Sequence, residues 1–125
     1  NDDSSLKSYI QKPNQHIQNT INYINNHLTD SLTIDDICAN LHLSKYYLCH
    51  MFKKMTGITL MHYISQRRIS LSKKLLISND NPISEIAFDC GFKSFSHFSR
   101  TFCSLTGFTP LEYRKRYRQI MKPSC

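Results

Sequence analysis

The sequence predicts an all-α fold built from two helix-turn-helix subdomains joined by a long linker helix. Three observations lead there. Only three glycines and four prolines occur in 125 residues. The apolar residues recur three and four apart, the spacing of one helix face. One short segment is written twice: "SKYYLCHMFKKMTG" at 44–57 returns as "SFSHFSRTFCSLTG" at 94–107.

Residues 1–13, with charges, serines and Pro13, read as an N-terminal tail or linker. From Asn14, a first helix sets Ile17, Ile21, Ile24 and Leu28 on one face. A polar turn, "TDSL", leads to Thr33, which forms a capping-box pattern with Asp36. The second helix should bury Ile34, Ile37, Cys38 and Leu41. After a tight turn at "HL", Ser44 suits the N-cap of a third helix, and Gly57 suits a left-handed residue just past its end. Leu48, Met51, Phe52 and Met55 make the expected buried stripe of that helix. The opposite stripe holds Tyr46, Cys49, His50 and Lys53, with no acid. Residues 14–58 thus form a first helix-turn-helix subdomain.

The linker helix is expected over 59–79. Its central run, "LMHYISQRRISLSKKLLIS", contains no glycine or proline, and Ile64, Leu71 and Leu75 mark a buried face. Nineteen residues at 1.5 Å each make a rod of roughly 28 Å, against the ~34–36 Å repeat of B-DNA.

The second subdomain, 80–118, repeats the first. Asn81-Pro82 opens a helix with proline at its first position. Ile83, Ile86, Ala87 and Cys90 match Ile34, Ile37, Cys38 and Leu41 at an offset of 49. One extra residue in the turn "GFK" makes the offset 50. Ser44, Phe52, Thr56, Gly57, Thr59 and Tyr63 then recur as Ser94, Phe102, Thr106, Gly107, Thr109 and Tyr113. Phe98, Phe102 and Leu105 form the buried stripe of the repeated helix, and Ser96, Ser99, Arg100 and Cys103 the opposite one. In "TPLE", Thr109 caps a last helix with Pro110 at its first position and Glu112 closing the box. Residues 119–125 are left as a C-terminal tail.

Charge is distributed as unevenly as the repeat is regular. The net charge is +7, yet residues 1–43 carry five acids against Lys7 and Lys12. Residues 44–79 carry seven bases and no acid, and residues 93–122 seven more against Glu112 alone. A basic excess focused on particular segments points to a polyanionic partner. The five cysteines (38, 49, 90, 103 and 125) have no CxxC spacing, which fits free thiols in a reducing cytoplasm better than disulfides or a zinc site. There is no signal sequence or long apolar run. The expectation is a cytoplasmic protein without metal, cofactor or membrane. Because the chain opens on Asn1, it is also expected to be a piece of a longer protein with an upstream domain.

The segments "SKYYLCHMFKKMTG", "ISEIAFDCGFKSFSHFSRTF" and "GFTPLEYRKR" resemble the DNA-binding domain of AraC/XylS-type transcription regulators. The resemblance covers about residues 17–118. It implies seven helices, two recognition helices (about 44–56 and 94–106) in adjacent major grooves of double-stranded DNA, and a bacterial transcription activator beside a promoter. RNA polymerase would be a second partner, and a sensor or receiver domain would lie upstream. Carried over by position, the base-reading residues are Tyr46, Cys49 and His50, then Phe95, Ser96, Ser99 and Arg100. These are largely the stripes that periodicity isolates. The family often places arginine or glutamine where this chain has Cys49 and His50, both weaker readers. That shifts specificity toward DNA shape and thymine-methyl contacts.

Each residue also has a plainer reading. Arg100 suits bidentate pairing with guanine, against a solvated surface charge. His50 is a base or phosphate donor, or an ordinary exposed histidine. Tyr46 lies on a sugar or phosphate, or packs on the turn. Cys49 is a small contact residue rather than a nucleophile, and Phe95 is either core edge or thymine contact. Lys45, Lys53 and Lys54 are placed to neutralise phosphates, and Ser44 and Ser94 to present backbone amides to them. No catalytic constellation is present: Cys49 and His50 are sequence neighbours about 100° apart on a helix, and there is no phosphate loop, HExxH or acid pair. The competing reading is a helical module for an acidic protein or for RNA. RNA specificity, however, usually rests on stacking platforms for single strands.

Overall fold

The computed structural model describes the backbone of residues 2–121 and the side chains of 13–120, and within these limits every regular element is helical. Seven helices follow in order: α1 (Asp2–Asn26), α2 (Ile34–Leu41), α3 (Lys45–Thr56), α4 (Leu60–Ser78), α5 (Ile83–Asp89), α6 (Phe95–Thr106) and α7 (Pro110–Met121). They belong to two compact units. One holds α1 to α3 and the start of α4 as far as Tyr63; the other holds the Leu28–Ser31 loop, the rest of α4 and α5 to α7.

Helix ends fall where local chemistry puts them. The Thr33 hydroxyl accepts from the Asp36 amide (3.1 Å), and the Asp36 carboxylate accepts from the Thr33 amide (3.3 Å). Thr109 and Glu112 make the same pair at 3.1 and 2.9 Å. Gly57 (φ 85°) and Gly107 (φ 82°) end α3 and α6 in the left-handed region.

Some boundaries differ from the sequence reading. Helix α1 begins at Asp2, not Asn14, and contains Pro13. An internal proline removes one backbone hydrogen bond, and α1 continues across that single loss. Pro82 is the N-cap of α5 rather than its first helical residue, because its ψ of 144° is extended. Helix α7 runs through Met121, into the expected C-terminal tail; residues 122–125, with Lys122 and Cys125, lie outside the described residues.

In the first unit, Ile24, Ile37, Leu48 and Phe52 are fully buried, with Met51 and Leu60 beside them in the core. The second unit packs Ile69, Leu76, Ile86, Ala87, Cys90, Phe92, Phe98 and Phe102 into one cluster, with Leu71, Leu75 and Tyr113 against it. Met55 is 43% exposed, contrary to the expected core stripe. It lies in the last turn of α3, next to the Thr56–Gly57 terminus. On α4 the buried positions are Leu60, Ile64, Ile69, Ser72 and Leu76, while Leu71 and Leu75 are half-buried. The helix serves two units, so one continuous stripe does not describe it. Thr20 and Ser72 are buried polar residues, and each hydroxyl donates back along its helix, to the His16 and Ile69 carbonyls at 2.7 Å.

The duplication extends to atoms. The Thr56 hydroxyl donates to the Phe52 carbonyl at 2.7 Å and the Ile58 carbonyl at 3.1 Å; Thr106 does the same to Phe102 and Phe108 at 2.7 and 3.1 Å. Phe52 meets Tyr63 with ring centroids 5.6 Å apart, and Phe102 meets Tyr113 at 5.4 Å.

The two turns differ instructively. His42 ends α2 with φ 58°, and its counterpart at offset 49, Gly91, has φ 96°. A Cβ on Gly91 would stand 2.6 Å from the Leu28 carbonyl oxygen and 2.8 Å from Arg68 Nε. Gly91→Ala is therefore expected to destabilise the domain by roughly 2–5 kcal/mol, combining left-handed strain and overpacking. His42→Gly should stabilise it by about 0.5–1 kcal/mol, since glycine relieves the strain but costs more chain entropy. Urea denaturation of both variants measures the pair.

Candidate nucleic-acid interface

Helix α3 is positioned by its buried stripe. With Leu48, Met51 and Phe52 turned inward, Lys45, Tyr46, His50, Lys53 and Lys54 are exposed and Cys49 half-exposed. The Ser44 hydroxyl is occupied in accepting the Tyr47 amide (3.1 Å), which fixes where the helix begins. Tyr47 is anchored separately, its hydroxyl 2.8 Å from His16 Nδ1 on α1. On the outer face Tyr46 is 79% exposed, and its ring stacks on His50 with centroids 5.5 Å apart and planes 7° from parallel. These side chains, with Thr59 and Leu60, line a shallow concavity of about 860 Å³. Thr59 and Leu60 are additions that the stripe of α3 alone does not reveal. The concavity carries three ammonium groups and no carboxylate.

Helix α6 repeats the construction. Phe98 and Phe102 are fully buried, and the Ser94 hydroxyl accepts the His97 amide at 3.2 Å. Ser96, Arg100 and Cys103 are exposed and Ser99 half-exposed. Phe95 is 45% exposed, its ring centroid 6.4 Å from that of Phe98. Lys93, exposed immediately before Ser94, joins this surface; it precedes the helix and so lies outside the stripe that helical spacing marks. Each expected set of residues therefore shares one helix face within its own unit.

Several other bases face inward instead. Arg68 Nε donates to the Leu28 carbonyl at 3.0 Å and its terminal nitrogen to the Asp30 carbonyl at 3.2 Å. Arg114 binds three carbonyls: Leu76 (2.9 Å), Asn81 (2.8 Å) and Asn79 (3.1 Å). Arg118 reaches the Asp80 carboxylate and the Asn79 carbonyl. Its hydrogen bond and charge hold the Asp80 carboxyl below the usual carboxylate range. Burial lowers Arg68 and Arg114 from the ordinary guanidinium value. Arg68 and Arg118 stand at the repeat offset of 50, the one sequence signal that separates these braces from free charge.

The thiols do not form a chemical centre. Burial, with Asp89 adding to it, pushes Cys90 up to about 12, so it stays protonated. Burial and neighbouring Cys49 also raise Cys38. Among the described residues no group of three histidine, cysteine or acidic side chains is placed to hold a metal ion. None of the described helices is long and apolar enough to cross a membrane.

Comparison with known proteins agrees with this architecture. A family model described as a helix-turn-helix domain matches residues 37–116. The regulatory protein SoxS of Salmonella typhimurium is 40% identical over 102 residues, covering 82% of this chain and 95% of SoxS. A transcriptional regulator of Chromobacterium violaceum, described as containing an AraC-type DNA-binding domain, superposes with a TM-score of 0.77 at 26% identity, over 89% of this chain and 96% of that one. The chain belongs to the AraC/XylS family. It is a DNA-binding transcription regulator domain of that family. The regulatory protein PocR of the same Salmonella strain is 31% identical over 107 residues. These cover 86% of this chain but 35% of PocR, so the AraC/XylS domain spans about a third of that relative.

The inward arginines yield a prediction for this AraC/XylS domain. Arg114→Met removes a charged donor from three carbonyls and should cost roughly 2–3 kcal/mol of stability. Because that guanidinium is engaged internally, the salt dependence of DNA binding should not change. Thermal melts and anisotropy titrations on one preparation test both halves.

Proposed function

We propose that one copy of this domain binds an asymmetric site on double-stranded DNA, with α3 and α6 entering adjacent major grooves. The observation that carries the reading is a repeated one: in each unit, the second helix of the helix-turn-helix exposes an acid-free face bearing hydrogen-bonding groups and positive charge, three lysines on α3 and Arg100 on α6. Tyr46, Cys49 and His50 face bases from α3; Phe95, Ser96, Ser99 and Arg100 face them from α6. Lys45, Lys53 and Lys54 neutralise phosphates, and the amides following Ser44 and Ser94 receive others. Intramolecular duplication supports two-groove binding by a single chain, as does the ~28 Å length of the 19-residue α4.

In this reading the domain does no chemistry itself and works in the cytoplasm. It acts as an activator that contacts RNA polymerase at the promoter, under a sensor or receiver domain elsewhere in a longer chain. The 35% share of PocR that the chain covers supports the last point. Competition between duplex DNA, RNA and acidic protein separates this from the other binding modules.

Footprinting should show protection over two successive major grooves per monomer; one protected groove would refute the arrangement. If about six phosphates are neutralised, log K against log salt should slope near −5. A salt-independent affinity would favour a protein partner instead.

A further inference from the structure

We propose that the two recognition helices divide the work of binding: both enter their grooves, α3 supplying mainly the hold on the sugar-phosphate backbone and α6 most of the base discrimination. The inference rests on the DNA-binding reading above and adds which half of the operator holds the specificity.

The duplication supplies an internal control. Phe52, Thr56, Gly57 and Tyr63, which build the fold, recur unchanged at offset 50. The outward positions do not. Lys45, Lys53 and Lys54 become Phe95, Cys103 and Ser104. All three lysines are exposed, so none is committed to packing. An ammonium is a compact point charge that pairs with phosphate but lacks the planar fork that fits a guanine edge. The remaining outward side chains of α3 are equally poor at discrimination. Tyr46 and His50 stack on each other and keep single hydrogen-bonding groups at their edges, and Cys49 is a weak donor. Helix α3 therefore presents much charge and little code.

Helix α6 has the opposite composition. Arg100 is its one cation, and it is a guanidinium. Around it stand Ser96, Ser99 and Cys103, all small, which lets the backbone approach the groove floor and the fork reach O6 and N7 of one guanine. Phe95 adds an exposed apolar surface suited to a thymine methyl. Of the other guanidinium groups of this unit, Arg68, Arg114 and Arg118 are engaged inside it by carbonyl and carboxylate oxygens, Arg116 lies 5.1 Å over the Phe108 ring, and Arg67 stands on α4. Lys73, Lys74, Lys93 and Lys115 leave the unit backbone affinity of its own, so the partition is between the faces of α3 and α6 rather than between the total charges of the two units.

The test uses the 125-residue chain, a duplex selected from random sequence, and titrations between roughly 50 and 200 mM salt. Lys45, Lys53 and Lys54 are changed together to alanine; separately, Arg100→Lys keeps the charge and removes the fork. The triple variant should flatten the salt slope by about 2.7 and select the same bases as the parent. Arg100→Lys should leave the slope in place and reduce the preference for one guanine roughly 5- to 150-fold. A readout independent of any variant comes from scrambling each half of the operator for the unaltered chain: the α6 half should cost far more affinity. Equal losses from the two halves, or loss of base preference in the triple variant, would overturn the division while leaving DNA binding standing. Failure of the unaltered chain to bind any duplex would overturn the DNA-binding reading and this inference together.

Discussion

Phe52 and Phe102 are completely buried, and each sits on a helix whose opposite face is exposed. A helix bare on one side is secured only by what it buries on the other. Each ring lies against a tyrosine from the following helix, at 5.6 and 5.4 Å, and each carbonyl takes the hydroxyl of the threonine four residues on. Burying such a ring contributes about 1.5–3 kcal/mol, while truncating it costs about 3–5 kcal/mol. The outward stripes of α3 and α6 take their directions from these two anchors.

What was legible in the sequence is what local chemistry decides. Ser44, Thr33, Thr109 and the two helix-ending glycines announce their roles because caps and left-handed residues need particular atoms, whatever the surroundings. Outward stripes were legible for a related reason: they are the complement of the phenylalanine spacing. The repeat then turned two weak patterns into one strong one.

What could not be read depends on tertiary neighbours. Periodicity assigns Met55 to the core, but it sits at the end of its helix and is 43% exposed. Helix α4 defeats a single-stripe reading because two units claim different residues along it. Arg68, Arg114 and Arg118 look like surface charge in a composition count, yet their forks are filled by backbone carbonyls and, for Arg118, by the Asp80 carboxylate as well. A carbonyl left without a partner by a distant loop has no signature in the sequence around the arginine that satisfies it. Proline at 13 misleads in the other direction: its penalty is real but finite, and α1 passes through it.

The arginine braces also set an order on synthesis. The Leu28 and Asp30 carbonyls precede Arg68 by 40 and 38 residues. At about 5–20 residues per second, that loop waits roughly 2–8 s on the ribosome for its brace. The second loop waits similarly: the Leu76 carbonyl precedes Arg114 by 38 residues, and that of Asn79 precedes Arg118 by 39. A nascent chain released or cut before Arg118 would therefore carry both α3 and α6 already written and one of its loops still lacking a brace. For anyone trimming the protein, a cut before Arg118 removes a brace of the Asn79–Asp80 loop, although it falls well past the last residue of α6.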